Sequence, residues 1–308
     1  MILLYQMVGK KMGRYELEWR IDQCDAGKEM KLFLREQGVS RKALSAIKFS
    51  GGTINVNGKE ETVRYILQKS DSVKVIFPSE EINDRLIGED IPLSILYEDD
   101  DLLIIDKPPY MSTIPSRDHP SGSVANALKY YYEQIGLKSS IHIVTRLDRD
   151  TSGLVLVAKH RHSHHLLSLM QRRHEIHRFY EGFAEGDFDQ EQGVIDAPIG
   201  RKPGSIIERE VREDGQFALT KYQVLHQYPT FAHLKWKLET GRTHQIRVHM
   251  SSLEHPLLGD DLYGGRRDKI KRQALHCQQI MFKHPLSGQD LNFQIALPTD
   301  MTNLFNSL

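Results

Sequence analysis

The sequence predicts an α+β protein: a mixed, mainly antiparallel sheet flanked by helices and loops, preceded by a small N-terminal α/β module. Three observations support this. Leu154-Val155-Leu156-Val157-Ala158 is an uninterrupted apolar run, which reads as a strand covered on both faces. Two later stretches, Lys221 to Leu225 and Ala232 to Leu238, alternate as antiparallel strands do. Other stretches place apolar residues at helical spacing, among them Leu166, Leu167 and Met170 within 160–173.

Taken in order, residues 1–14 show no clear period and form a leader without an assigned role. A compact module spans 15–78. It opens with a strand-like Tyr15 to Ile21 and a helix over 30–37, which Gly38 stops. Ser40 caps a second helix, Arg41 to Phe49, with Ala43, Leu44 and Ile47 on one face and Arg41, Lys42 and Lys48 elsewhere. Residues 53–58 alternate into a tight turn at Asn57-Gly58, and 73–77 closes the module. The acidic segment 79–92 has the composition of a linker.

The larger domain, 93–308, begins as strand, turn and strand around Glu98 to Asp101, and Asp106-Lys107-Pro108-Pro109 breaks the second strand. Next come a helix over 124–135, a strand leading through Val144, the helix over 160–173 and a strand over 179–184. Residues 201–215 read as an exposed hairpin or loop, 256–265 as a turn-rich loop, and 280–282 with 291–295 as a late hairpin.

At 308 residues the chain can bury a full core, and hydrophobic content of 39% with a mean hydropathy of −0.46 is ordinary for a soluble enzyme. The opening Met1 to Tyr5 is too short for a signal-peptide core, and no apolar run approaches membrane-spanning length, so a cytoplasmic protein is expected. Cys24 and Cys277 have no partner spacing that builds a zinc site. His160, His162, His164 and His165 have no carboxylate suitably spaced, so that helix reads as solvated or ligand-facing, and no metal or cofactor is expected.

Net charge is zero, yet charge is unevenly placed. Residues 80–101 hold nine acids against one Arg, 141–178 hold seven Lys or Arg against three acids, and 235–284 hold ten against five. Local surface sets attraction to phosphate, so a neutral protein can carry a basic cleft.

The stretch Val144 to Lys159 concentrates this pattern. Asp148 lies between Arg146 and Arg149 in a turn that runs straight into the apolar strand. Neighbouring positive charge favours the ionised carboxylate, and the strand fixes its direction, which is what nucleophilic or base chemistry requires. A solvated turn with local salt bridges, such as Arg146 with Asp150, is the plainer alternative.

Arg146-Leu147-Asp148 followed by Thr151-Ser152-Gly153 resembles the signature of the RluA-type pseudouridine synthases, whose Asp is the essential catalytic residue. Asp106-Lys107-Pro108, Arg178-Phe179-Tyr180, Thr240 to Met250, His255 to Asp260 and Leu275-His276 resemble further family motifs, in family order. The resemblance covers about residues 90–300 and implies the pseudouridine synthase fold. One position departs: Thr145 stands where the family usually has His, and Thr cannot titrate near neutrality. Residues 15–78 resemble the alpha-L RNA-binding module of ribosomal protein S-four, with Ser70-Asp71 where Gly-Asp is usual.

The resemblance implies an isomerase of uridine in RNA, working without cofactor as a monomer. Asp148 would be nucleophile or base, Tyr180 the aromatic against the extruded base, and Arg247 the cation paired with Asp148. Arg146 would fill the gap the base leaves. Lys107, Arg242, His244 and Gln245 would contact RNA or serve structure, and Arg41, Lys42 and Lys48 would bind RNA from the N-terminal module. Ribosomal RNA is the expected substrate, with transfer RNA as the alternative. Two other classes compete: a nonenzymatic RNA-binding assembly factor, and a glycoside hydrolase using Asp148 and Asp150 as an acid and base pair.

Overall fold

The computed structural model describes residues 14–117 and 119–306. The expected leader therefore lies almost wholly outside the described residues. The described chain folds around two main apolar clusters, one within 15–77 and a larger one beyond residue 100.

In the N-terminal part four strands pair antiparallel in the order Glu16–Arg20, Ser72–Ile76, Thr53–Val56, Lys59–Glu60. Helices Met30–Glu36 and Arg41–Phe49 bury Phe33, Leu34, Leu44 and Ile47 against them. The Ser40 hydroxyl accepts from the Ala43 amide at 3.1 Å, which satisfies one free donor of the second helix. Asn57 and Gly58 both take positive φ, as a two-residue hairpin turn requires. Asp71 is buried and takes hydrogen bonds from the Asn57 amide, the Tyr65 hydroxyl and the Gln68 backbone, so it locks that turn to the closing strand. Ser70 accepts a φ of 72°, where glycine would be the easier residue.

The acidic segment 79–92 holds no helix or strand, yet it is strapped to the larger domain. Glu80 meets the His142 imidazole at 2.6 Å and caps the Arg161 amide, while the Asn126 side chain donates to the Ile87 carbonyl.

The larger part is built on a ten-stranded sheet. Its main path runs Gln192–Asp196, Leu219–Gln227, Phe231–Leu238, His177–Glu185, Leu275–Lys283, Ser152–Ala158, Leu102–Lys107, Ser94–Glu98. Ser152–Ala158 is buried at every position, as its apolar run demands. Helices Val124–Gln134 and Arg161–Arg172 pack Leu128, Tyr132 and Leu167 into the same core. Among the described residues all ladders are antiparallel except one: Leu275–Lys283 runs parallel to Ser152–Ala158. A small separate hairpin, Ile199–Arg201 with Arg209–Val211, occupies the stretch expected to be exposed. Among the described residues no helix is long and apolar enough to cross a membrane.

Two helices exceed what periodicity indicates. Gln245–Ser252 lies inside the motif-rich 240–250 block, and Thr299–Asn306 closes the chain by packing Met301 and Leu304 on Phe183 and Phe231. Neither has a long apolar stripe, so the pattern that reveals an isolated amphipathic helix is weak in both.

The parallel joint depends on Gly153. Its φ is +112°, and a Cβ there would stand 2.4 Å from the Cys277 carbonyl oxygen. Gly153→Ala is therefore expected to cost about 2 kcal/mol or more, from strain and overpacking together. Urea unfolding measures this, and a wild-type midpoint would show that the two strands are not in close contact.

Candidate active site

A cavity of about 480 Å³ opens at one end of the central strands. Its walls come from the turn before Ser152–Ala158, from the His177–Glu185 strand and from the 241–247 segment. Asp148 is the one carboxylate among the described residues lining it, against Arg146, Arg149, Arg178, Arg242 and Arg247.

The Asp148 turn is held from every side. Thr113 donates from its hydroxyl to the Leu147 carbonyl at 2.7 Å and accepts from the Leu147 amide. Lys107, with no exposed surface, donates to the carbonyls of Pro108, Met111 and Arg149. Arg272 donates to the Asp150 carbonyl, and the Gln273 amide donates to the Thr151 hydroxyl. Thr145 faces the strand and not the cavity: it is buried, and its hydroxyl accepts from the Leu156 amide at 2.9 Å. The substitution of Thr for His thus sits where a backbone donor is satisfied.

Asp148 accepts a hydrogen bond from Arg247 Nη1 at 3.0 Å and has His244 Nε2 3.8 Å away. Arg247 turns its other edge to Asp260, which receives two bonds of 2.7 Å and is itself 1% exposed. Its guanidinium lies over the Tyr263 ring, 4.9 Å from the centroid. Tyr263 also positions His244, whose Nδ1 is 2.7 Å from the phenol oxygen. His244 takes a left-handed φ of 58° at the start of the Gln245–Ser252 helix, which aims its ring into the cavity.

These contacts set protonation. Burial pushes the Asp148 carboxyl up, but His244 and Arg247 outweigh it and hold the group below its usual range. The His244 contribution operates at acid pH, where the imidazole is charged; burial lowers the His244 pKa, so the ring is neutral near pH 7. Burial pushes the Tyr180 hydroxyl far above the ordinary phenol range, so Tyr180 stays protonated. Burial also pushes Lys107 down to about 7.

The cavity therefore gathers Asp148, Tyr180, Arg247, Arg146, Arg242 and His244. Arg146 is exposed and makes no hydrogen bond or ion pair to a described residue; it is Arg149 that pairs with Asp150, at 3.2 Å. Asp150 does not line the cavity, so no second carboxylate is available as a glycosidase partner. Gln245 lines the cavity as well, and both Lys107 and Gln245, expected to contact RNA or serve structure, have structural partners. Lys107 is spent on three carbonyls, and the Gln245 amide is saturated by the Thr240 and Thr220 hydroxyls, the Arg242 amide and the Leu219 carbonyl. Both brace the walls from within. Arg41, Lys42 and Lys48 are exposed on the N-terminal unit, outside this cavity.

Asp260, Tyr263 and Thr113 do not stand out in the sequence as site residues. Asp260 lies in a recognised motif, which is a usable signal; Tyr263 and Thr113 reach the site only through the fold.

The family pattern described as RNA pseudouridylate synthase matches residues 101–252. An uncharacterised RNA pseudouridine synthase of Bacillus subtilis, YjbO, is 49% identical over 275 residues, covering 89% of this chain and 97% of that one. The ribosomal large subunit pseudouridine synthase D of Haemophilus ducreyi is 40% identical over 239 residues, 73% of each chain. Among solved structures, human RNA pseudouridylate synthase domain containing 1 superposes with a TM-score of 0.57 at 22% identity, over 71% of this chain and 96% of that one, a likeness of fold.

The depressed Asp148 pKa has a testable sign. Its folded value lies below the ordinary 3.8, so the carboxylate is ionised from neutrality down to about pH 4, and its contribution to stability is lost only as pH falls through the folded value. The Asp148 carboxyl carbon resonance should hold steady over that range. In an Arg247→Gln, Asp260→Asn double variant, which removes the cation without stranding a buried charge, the midpoint should move upward. An unmoved midpoint would mean that Arg247 does not set the protonation of Asp148.

Proposed function

The chain belongs to the RNA pseudouridine synthase family and is an isomerase acting on RNA, and from that premise we propose that its substrate is ribosomal RNA, with Asp148 as the reacting group. Isomerisation breaks the bond from ribose to ring nitrogen, turns the base and rejoins it through ring carbon 5. No electron or group enters or leaves on balance: the proton lost from ring carbon 5 is matched by one taken up at the freed ring nitrogen. Asp148 serves by attacking the anomeric carbon or by taking a proton from the adjacent ribose carbon; either route needs it ionised. The observation that carries this reading is the Asp148–Arg247–Asp260 chain of charge at the mouth of a basic cavity.

The remaining roles derive from position. A base entering the cavity leaves the RNA stack at a cost of a few kcal/mol. Arg146, exposed and unpaired at the rim, fills the gap, and Tyr180 supports the base with its ring. Arg247 holds Asp148 charged without donating its own proton, since its pKa is raised. Ribosomal RNA is favoured because relatives near 40% identity bear the name ribosomal large subunit pseudouridine synthase.

The Asp148→Asn variant keeps shape and removes charge. It should fold, bind RNA, and release no tritium from ribosomal RNA labelled at uridine position 5, a loss of at least roughly a thousandfold. A variant as active as wild type would take Asp148 out of the chemistry. Wild-type release from transfer RNA alone would move the substrate to that class.

The N-terminal unit docks the same RNA through the exposed face of Arg41–Phe49, as its likeness to the S-four module suggests. Replacing Arg41, Lys42 and Lys48 by Ala should flatten the logarithmic salt dependence of RNA binding by roughly 2, at about 0.7 to 0.9 per lost phosphate contact. An unchanged slope would remove this unit from RNA docking.

A further inference from the structure

Five Lys or Arg side chains among the described residues are buried: Lys107, Lys159, Arg178, Arg247 and Arg272. Taking such a cation out of water is costly unless acceptors or carboxylates surround it. Four are compensated. Lys107 has its three carbonyls, and Lys159 has Glu98 at 2.8 Å with the Asp99 carbonyl at 2.6 Å. Arg247 has Asp148 and Asp260, and Arg272 has Asp300 on two bonds with three carbonyls beside it. Arg178, 8% exposed, has neither a hydrogen-bond acceptor nor a carboxylate among the described residues.

Its surroundings say what is missing. Arg178 lies on the His177–Glu185 strand between Leu238 and Ile280 and lines the Asp148 cavity. It also lines an adjoining cavity of about 310 Å³, shared with Arg172, His174 and Arg242. It therefore stands in the doorway between the two. Its Nη2 occupies space that exists because residue 241 is glycine: a Cβ there would be 2.5 Å away. The acids nearby are already engaged, Asp148 by Arg247 and Glu239 by Lys221 and Lys237.

We propose that Arg178 is a phosphate-binding residue, clamping a backbone phosphate of the target nucleotide where the RNA strand passes from the reaction cavity toward Arg172 and Arg242. This rests on reading the cavity as the uridine site. A guanidinium matches a phosphate with paired donors and full charge, whereas a base carbonyl would leave the buried charge uncompensated. Gly241 is then part of the clamp, since any side chain there displaces the guanidinium.

The test is binding of uridine and of uridine 3′,5′-bisphosphate, by calorimetry or chemical shift, to wild type and to Arg178→Gln, Arg178→Lys and Gly241→Ala. Wild type should prefer the bisphosphate by at least about tenfold, the lower end expected for hydrogen bonds to a charged group. Arg178→Gln and Gly241→Ala should lose that preference, and Arg178→Lys should keep part of it. Thermal melts give an independent readout. Because the guanidinium has no acceptor or carboxylate among the described residues to lose, Arg178→Gln and Arg178→Met should melt close to or above wild type, which an arginine bridging parts of the fold would not allow. No preference in wild type, an unchanged preference in Arg178→Gln, an equal loss of plain uridine, or a lowered melting temperature would each overturn the clamp. Tritium release by wild type from ribosomal RNA reports separately on the uridine site itself, so the two readings fail independently.

Discussion

Arg247 is the charge on which the site balances. A carboxylate partly withdrawn from water would take up a proton unless a cation stood beside it, and a lone cation there would be as costly. Arg247 resolves both by spending one edge of its guanidinium on Asp148 and the other on buried Asp260, with Tyr263 against its flat face. Asp260 is buried behind Arg247. It keeps the guanidinium in plane and directs Nη1 toward Asp148, which keeps that carboxylate ionised and oriented at once.

The same economy explains why so many polar residues around the cavity are internal. Lys107, Gln245, Thr113 and Thr145 each satisfy backbone groups of the turn or wall that presents Asp148. Their residue types invite a binding role, since Lys and Gln commonly contact phosphate and bases. Their bonding to the wall is set by burial, and burial of a single polar residue is a property of the fold.

Local structure is legible in the sequence where one physical signal dominates. The apolar run at 154–158 marks the central strand, Ser40 marks the cap and start of its helix, and the Asp148 turn is marked by its charges. The Gln245–Ser252 helix is not legible, because its residues are buried on several sides by chemistry as varied as Arg247, His249 and Met250. Arg178 is visible as part of a motif, but that it has no acceptor among the described residues is a three-dimensional fact. Likewise, composition marks 79–92 as a linker, whereas Glu80 and Asn126 show it strapped to the domain it precedes.

The one parallel joint in the sheet has a consequence in time. The Leu275–Lys283 strand is inserted between His177–Glu185 and Ser152–Ala158, and Arg272 and Gln273, just before it, fasten the Asp148 turn. On a growing chain, residues 144–158 emerge long before these partners exist, and such distant pairings close slowly. The Asp148 turn thus gains these fasteners only once the chain has been made 122 residues beyond the positions they hold. A chain cut short near residue 270 would carry Asp148, Tyr180 and Arg247 without the two side chains that fasten the Asp148 turn.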